Sequence, residues 1–100
     1  MQSLRNYPLE SAVEGETTDY AKACGCLCLK LNVSGQIGWP DRLYIYKGRM
    51  LFIEFKRMGE KPRKIQEYRH AKIREHGFNV AVVDHVEQGY ATINLFTNGR

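Results

Sequence analysis

The sequence predicts an α/β fold: a two- or three-layer sandwich around a mixed sheet, in the order α-β-β-β-α-β with a possible final strand. Three observations carry this. Short apolar runs of strand length recur along the chain, a glycine turn joins two of them into a hairpin, and a stretch of helical periodicity separates the hairpin from the next run.

The elements follow in order. Ser11-Ala12-Val13-Glu14 has the form of a capping box, so a helix is expected from Ser11 to about Cys24, stopped by Gly25. Cys26 to Leu31 is apolar except for Lys30 and reads as a buried strand. Asn32 to Pro40, rich in Gly and Ser, is loop. Asp41 to Tyr46 and Met50 to Lys56 read as antiparallel strands joined by the three-residue turn Lys47-Gly48-Arg49. Pro62 to His76 is helical in pattern, with Ile65, Tyr68 and Lys72 on one face and Gly77 as its stop. Asn79 to Val83 is a further strand, and Thr92 to Phe96 a candidate for another.

One hundred residues, 43% apolar and 26% charged, suit one folded domain over residues 1–100. No apolar run approaches the roughly 18 to 20 residues that a spanning helix needs. Met1 to Pro8 lacks the apolar core of a secretory signal, so a cytosolic location is expected. Cys24, Cys26 and Cys28 form an odd set with no neighbouring histidine, which favours buried thiols over a disulfide scaffold or a zinc site.

The net charge is +4, but it is unevenly spread. Between Lys56 and His76, eight basic groups face only Glu60, Glu67 and Glu75, so that stretch is +5 and the remainder −1. Such a footprint suits a polyanion, and a solvated helix face is the plainer alternative.

The chemistry centres on Asp41, Glu54 and Lys56. Alternation along a strand puts Phe52, Glu54 and Lys56 on one face and Leu51, Ile53 and Phe55 on the other. The hairpin should bring Asp41 to the end of the sheet where Glu54 and Lys56 stand. Two carboxylates meeting there need a neutralising partner, and oxygen donors without His or Cys favour a hard cation, Mg²⁺ or Mn²⁺. With Lys56 beside it, such a site suits phosphodiester hydrolysis.

Gly38-Trp39-Pro40-Asp41-Arg42, Phe52-Ile53-Glu54-Phe55-Lys56 and then Gln66 resemble the virus-type replication-repair nuclease (VRR-NUC) domain, a branch of the PD-(D/E)xK nucleases. The likeness runs from Glu10 to about Glu87. It implies a restriction-endonuclease-like core and metal-dependent cleavage of DNA, with a homodimer acting on branched DNA such as four-way junctions in short stand-alone phage and bacterial members. By that resemblance Asp41, Glu54, Lys56 and Gln66 are the catalytic positions. The metal would be held by Asp41, Glu54, the Phe55 backbone carbonyl and Glu14, with Glu10 as the rival acid. Arg42, Arg57, Lys61, Arg63 and Lys64 are expected to hold DNA. Trp39 is expected in the core or an interface, and Trp39 and Tyr90 to Phe96 are the candidate dimer contacts. His70, His76 and His85 show no metal spacing and read as surface or internally satisfied residues. The alternative function is a non-catalytic DNA-binding module that uses the basic helix 61–76. A partner-binding subunit without affinity for nucleic acid is a third.

Overall fold

The computed structural model describes residues 9–98; Met1 to Pro8, read above as lacking a secretory signal, lie outside the described residues. The elements are α1 (Glu10–Ala23), β1 (Leu27–Lys30), β2 (Arg42–Tyr46), β3 (Arg49–Phe55), α2 (Lys64–Glu75), β4 (Asn79–Val83) and α3 (Val86–Asn98). They form one four-stranded mixed sheet in the order β1-β2-β3-β4. Strand β2 pairs antiparallel with both β1 and β3, and β4 joins β3 in parallel after the crossover through α2. Among the described residues no helix is long and apolar enough to cross a membrane.

Helix α1 starts earlier than its sequence suggests. Its N-cap is Leu9, which offers no side-chain acceptor, and the Ser11–Glu14 capping box does not form. Glu14 instead reaches the Arg42 guanidinium at 2.7 Å and the Lys30 ammonium at 3.2 Å, and charge-assisted contacts of this kind outweigh a neutral cap. The other end behaves as read. Gly25 adopts φ +96°, with Gly25 N–H donating to Lys22 O and Cys26 N–H to Ala21 O, the two bonds of a Schellman stop.

The hairpin turn is two residues, Lys47-Gly48, because Tyr46 pairs directly with Arg49. Both turn residues have positive φ (47° and 79°), the backbone twist that lets two antiparallel strands continue unsplayed. The expected three-residue turn is thereby corrected, and β3 gains Arg49 at its start.

Two cores form on opposite faces of the sheet. Leu51, Ile53 and Phe55 of β3 join Tyr44, Val83, Val13 and Ala21 under α1, with Ile93 of α3 completing the layer. Phe52 packs with Ile73 and Val80 beneath α2. The strand alternation of the sequence therefore holds in space. The three cysteines are free thiols; Cys26 is buried, which raises it to about 11, while Cys24 and Cys28 are only partly buried against the same core.

Three expectations are corrected. Thr92 to Phe96 is the second half of α3 rather than a strand: Gly89 and Ile93, four residues apart, both turn inward, and Gly89 abuts Thr17 so closely that a side chain there would collide with it. In α2 the inward face is Gln66, His70 and Ile73, whereas Tyr68 points out at 53% exposure and Lys72 also faces solvent. Finally, β1 is an edge strand whose Leu27 and Leu29 are 60% and 41% exposed, because α2 covers the β3–β4 side of its face and stops short of β1.

Candidate active site

The β2–β3 register decides where the acids meet. Arg42 pairs with Ile53, so Asp41, one residue earlier, falls level with Glu54. Asp41 is pinned there twice: its N–H donates to Ile53 O (3.1 Å), and its Oδ2 accepts the Phe55 N–H (2.7 Å). Fully buried Pro40 anchors the chain on the other side. Glu54, although ionisable, is only 2% exposed, since it lies on the face that α2 covers.

Helix α2 meets Glu54 with polar groups. Gln66 Nε2 donates to Glu54 Oε2 at 2.8 Å, and His70 Nε2 lies 3.3 Å from Oε1. Gln66 Oε1 accepts from Lys56 Nζ and from the Arg63 backbone N–H, each at 2.8 Å. This is the amide orientation in which every contact pairs a donor with an acceptor. Lys56 Nζ stands 3.6 Å from Glu54 Oε2. Glu54, Lys56 and Gln66 are therefore one connected set, and Gln66 also caps the first turn of α2. Arg63, the N-cap, has no acceptor in its side chain, so only this reciprocal half of a capping box forms.

The electrostatics around Asp41 are those of crowded acids. Burial pushes its carboxyl upward, the Phe55 N–H offsets part of this, and the Glu54 and Glu14 charges raise it further. Glu10 is also raised, by burial first and then by Asp41, with Lys56 opposing. Of the two candidate acids on α1, Glu14 is held by Arg42 and Lys30 although its charge also reaches Asp41, whereas Glu10 feels Asp41, Lys56 and Glu54. Glu10, Glu14 and Arg57 line an open cleft of about 320 Å³.

Among the described residues no three of His, Cys, Asp and Glu already form a metal cage. The donor set nevertheless fits Mg²⁺. That ion is usually bound through one or two carboxylates and completes its shell with water and substrate phosphate. An acid raised by burial and then further by a neighbouring carboxylate is a place where a divalent charge is favourable.

The predicted DNA contacts divide. Lys61, Arg63 and Lys64 are exposed at the approach to α2 and Arg57 borders the cleft, while Arg42 is engaged by Glu14. Trp39 packs against the Phe52–Ile73–Val80 cluster, its indole N–H donates to Gln36 Oε1, and Arg69 lies over its ring.

No protein-family profile matches the chain. A curated relative, "Putative nuclease p44" from Acyrthosiphon pisum secondary endosymbiont phage 1, is 33% identical over 76 residues, covering 75% of this chain and 82% of its own length. A solved structure described as "VRR_NUC domain" superposes with a TM-score of 0.79 at 33% identity, over 85% of this chain and 94% of that one. The chain belongs to the VRR-NUC nuclease family.

Within this VRR-NUC fold, of the candidates Asp41, Glu54, Lys56 and Gln66 the last three are joined by hydrogen bonds and an ion pair, and Asp41 is set level with Glu54 in the sheet. Sequence reasoning missed His70. The signal was faint but present: His70 lies one helical turn beyond Gln66, hence on the same side of α2.

A stability consequence follows for the VRR-NUC site. Because folding raises the Asp41 carboxyl, Asp41 favours the fold below its unfolded value and loses that contribution as pH rises through its higher folded value. In EDTA at neutral pH, Asp41→Asn is expected to raise the melting temperature above that of the wild type and to weaken its fall with pH. An amide can still accept the Phe55 N–H. Thermal melts across pH check this, and a lower melting temperature for the variant would refute it.

Proposed function

We propose that the protein is an Mg²⁺-dependent endodeoxyribonuclease that hydrolyses phosphodiester bonds, with branched DNA such as four-way junctions as substrate and a homodimer as the working form. The observation that carries this is the hydrogen-bonded set Glu54–Gln66–Lys56 beside Asp41 at one end of the sheet. Asp41 and Glu54 would hold the ion together with the Phe55 carbonyl. When bound, Mg²⁺ supplies charge neutralisation at the scissile phosphate and acidifies water. Lys56, fixed by Gln66 Oε1, offers a compact positive charge to the attacking water or to the developing phosphate charge. Arg57, Lys61, Arg63 and Lys64 would hold flanking phosphates, positioning the backbone without reading sequence.

The third acid in this proposal is Glu10, because Glu14 is already neutralised by two cations. Glu10→Gln is expected to cut the cleavage rate by about 10-fold or more with stability unchanged or higher, the order seen when a group supporting a metal site is lost. Glu14→Gln should instead mainly lower stability. Single-turnover cleavage and denaturant melts of the two variants check this, and the reverse pattern would restore Glu14.

Junction, flap, nicked and plain duplex DNAs incubated with Mg²⁺, Mn²⁺ or Ca²⁺ test the main proposal. Cleavage of branched DNA in Mg²⁺, abolished by Glu54→Gln with binding retained, is expected. Binding without cleavage of any substrate would favour the non-catalytic DNA-binding module. Two-fold pairing would give a small domain a continuous basic face, and symmetric dimers are the commonest assembly. Exposed Leu27, Leu29 and Leu95 supply apolar surface for it. Light scattering at the 11.6 kDa of a single chain would refute the dimer.

A further inference from the structure

Glu54 is a carboxylate in the protein interior, and such a group is costly unless donors meet its oxygens. Oε2 is met by Gln66 Nε2 at 2.8 Å and Lys56 Nζ at 3.6 Å. Oε1 is met by His70, whose Nε2 lies 3.3 Å away and whose side chain is as buried as that of Glu54, 3% exposed in each case. A histidine placed there only to fill space would be an uneconomical choice, since an apolar residue of similar size packs without a polar ring to satisfy.

The placement follows from helix geometry. Gln66 and His70 are four residues apart on the inward face of α2, so their side chains project side by side. Ile73 continues the same face into the apolar cluster with Phe52 and Val80, which keeps the helix from rolling. The two polar residues therefore reach Glu54 from a firm base. An ionised carboxylate can only accept, so the His70 proton belongs on Nε2.

We propose that His70 is a positioning residue for the cleavage reaction: paired with Gln66, it clamps the Glu54 carboxylate between two N–H donors from α2 and sets its orientation before ion or DNA arrives. The inference rests on the nuclease reading for its activity arm alone. Its effect is exerted through Glu54, and His70 touches neither ion nor substrate.

The test compares His70→Leu, which keeps bulk but loses the donor, with His70→Gln, which keeps an N–H of similar reach. His70→Leu is expected to lower kcat by about 10- to 100-fold, with KM for DNA little changed, and to weaken Mn²⁺ binding to the protein alone, measured by calorimetry, by about 10-fold. His70→Gln should restore both to within about threefold of the wild type, because it replaces the lost donor. In the wild type the imidazole ¹⁵N spectrum should place a proton on Nε2.

A His70→Leu variant equal to the wild type in kcat and Mn²⁺ affinity overturns the proposal, as does a His70→Gln variant no better than His70→Leu. A ring protonated at Nδ1 alone also overturns it, and this measurement stands even where His70→Leu does not fold. Wild-type protein that binds Mn²⁺ without cutting any DNA removes the nuclease reading while the calorimetry still decides on His70. Wild-type protein that neither binds nor cuts overturns both.

Discussion

Lys56→Ala is expected to lower the rate of DNA cleavage by roughly 10²- to 10³-fold, the usual loss when one preorganised donor to a developing negative charge is removed. The fold should survive. Gln66 Oε1 loses one donor but keeps the Arg63 N–H, and Glu54 Oε2 keeps Gln66 Nε2, so neither the start of α2 nor the buried acid is left without a partner. DNA binding should also persist, because the exposed cations at Lys61, Arg63 and Lys64 are untouched. Lys56→Arg should not rescue the rate: the space between Gln66 and Glu54 is taken up by a compact ammonium, and a planar guanidinium directs its donors differently. Single-turnover cleavage at saturating DNA, with binding measured by mobility shift in Ca²⁺, separates these effects. Retention of the wild-type rate by Lys56→Ala would remove the lysine from the chemistry.

Gly38→Ala is expected to destabilise the protein by about 2 to 4 kcal/mol, combining a left-handed backbone position with overpacking. Gly38 has φ +88°, which L side chains rarely adopt, and an added Cβ would lie 2.9 Å from the Ile65 carbonyl oxygen and 2.8 Å from Ile65 Cγ1. The oxygen belongs to the first turn of α2 and cannot swing aside as a side-chain tip can. Relief must come from moving α2 away from the loop that leads to Asp41, and Gln66 is the next residue along that helix. Cleavage should therefore fall together with stability, even at temperatures where the variant is fully folded. Urea denaturation and cleavage rates well below the melting temperature check the two parts. A variant as stable as the wild type would show that the loop can yield without α2.

The hairpin, the inward Leu51–Ile53–Phe55 face and the meeting of Asp41 with Glu54 were legible in the sequence because they depend on short-range regularities. Side chains alternate along a strand, and Lys47-Gly48 can supply the two positive φ values of a tight turn. Only the turn length was misread. The inward face of α2 was not legible by the same logic. Its periodicity is carried by Gln66 and His70, which are polar and score as surface residues, and they are buried because a distant carboxylate, Glu54, accepts from them. Thr92 to Phe96 misled for the opposite reason. Locally it favours a strand, but Gly89 and Ile93 pack against α1 only as a helix, and the packing outweighs the propensity.

The choice between Glu10 and Glu14 shows the same division. Both occur at plausible spacing in the first helix, and a capping box explained Glu14 well enough. Which acid faces the site depends on how α1 lies across the sheet and on Arg42 and Lys30, two cations from different strands that arrive at Glu14.

Sequence alone determined the order of most elements and the family, and it picked out Asp41, Glu54, Lys56 and Gln66 as candidates, since turn chemistry, strand alternation and motif spacing act between residues near in the chain. Tertiary structure decided the burial of His70, the pairing of Glu14 and the helical form of Thr92 to Phe96. Each of these is set by a partner that folding brings from elsewhere, and a buried charge or polar group takes whichever partner lowers its cost of leaving water.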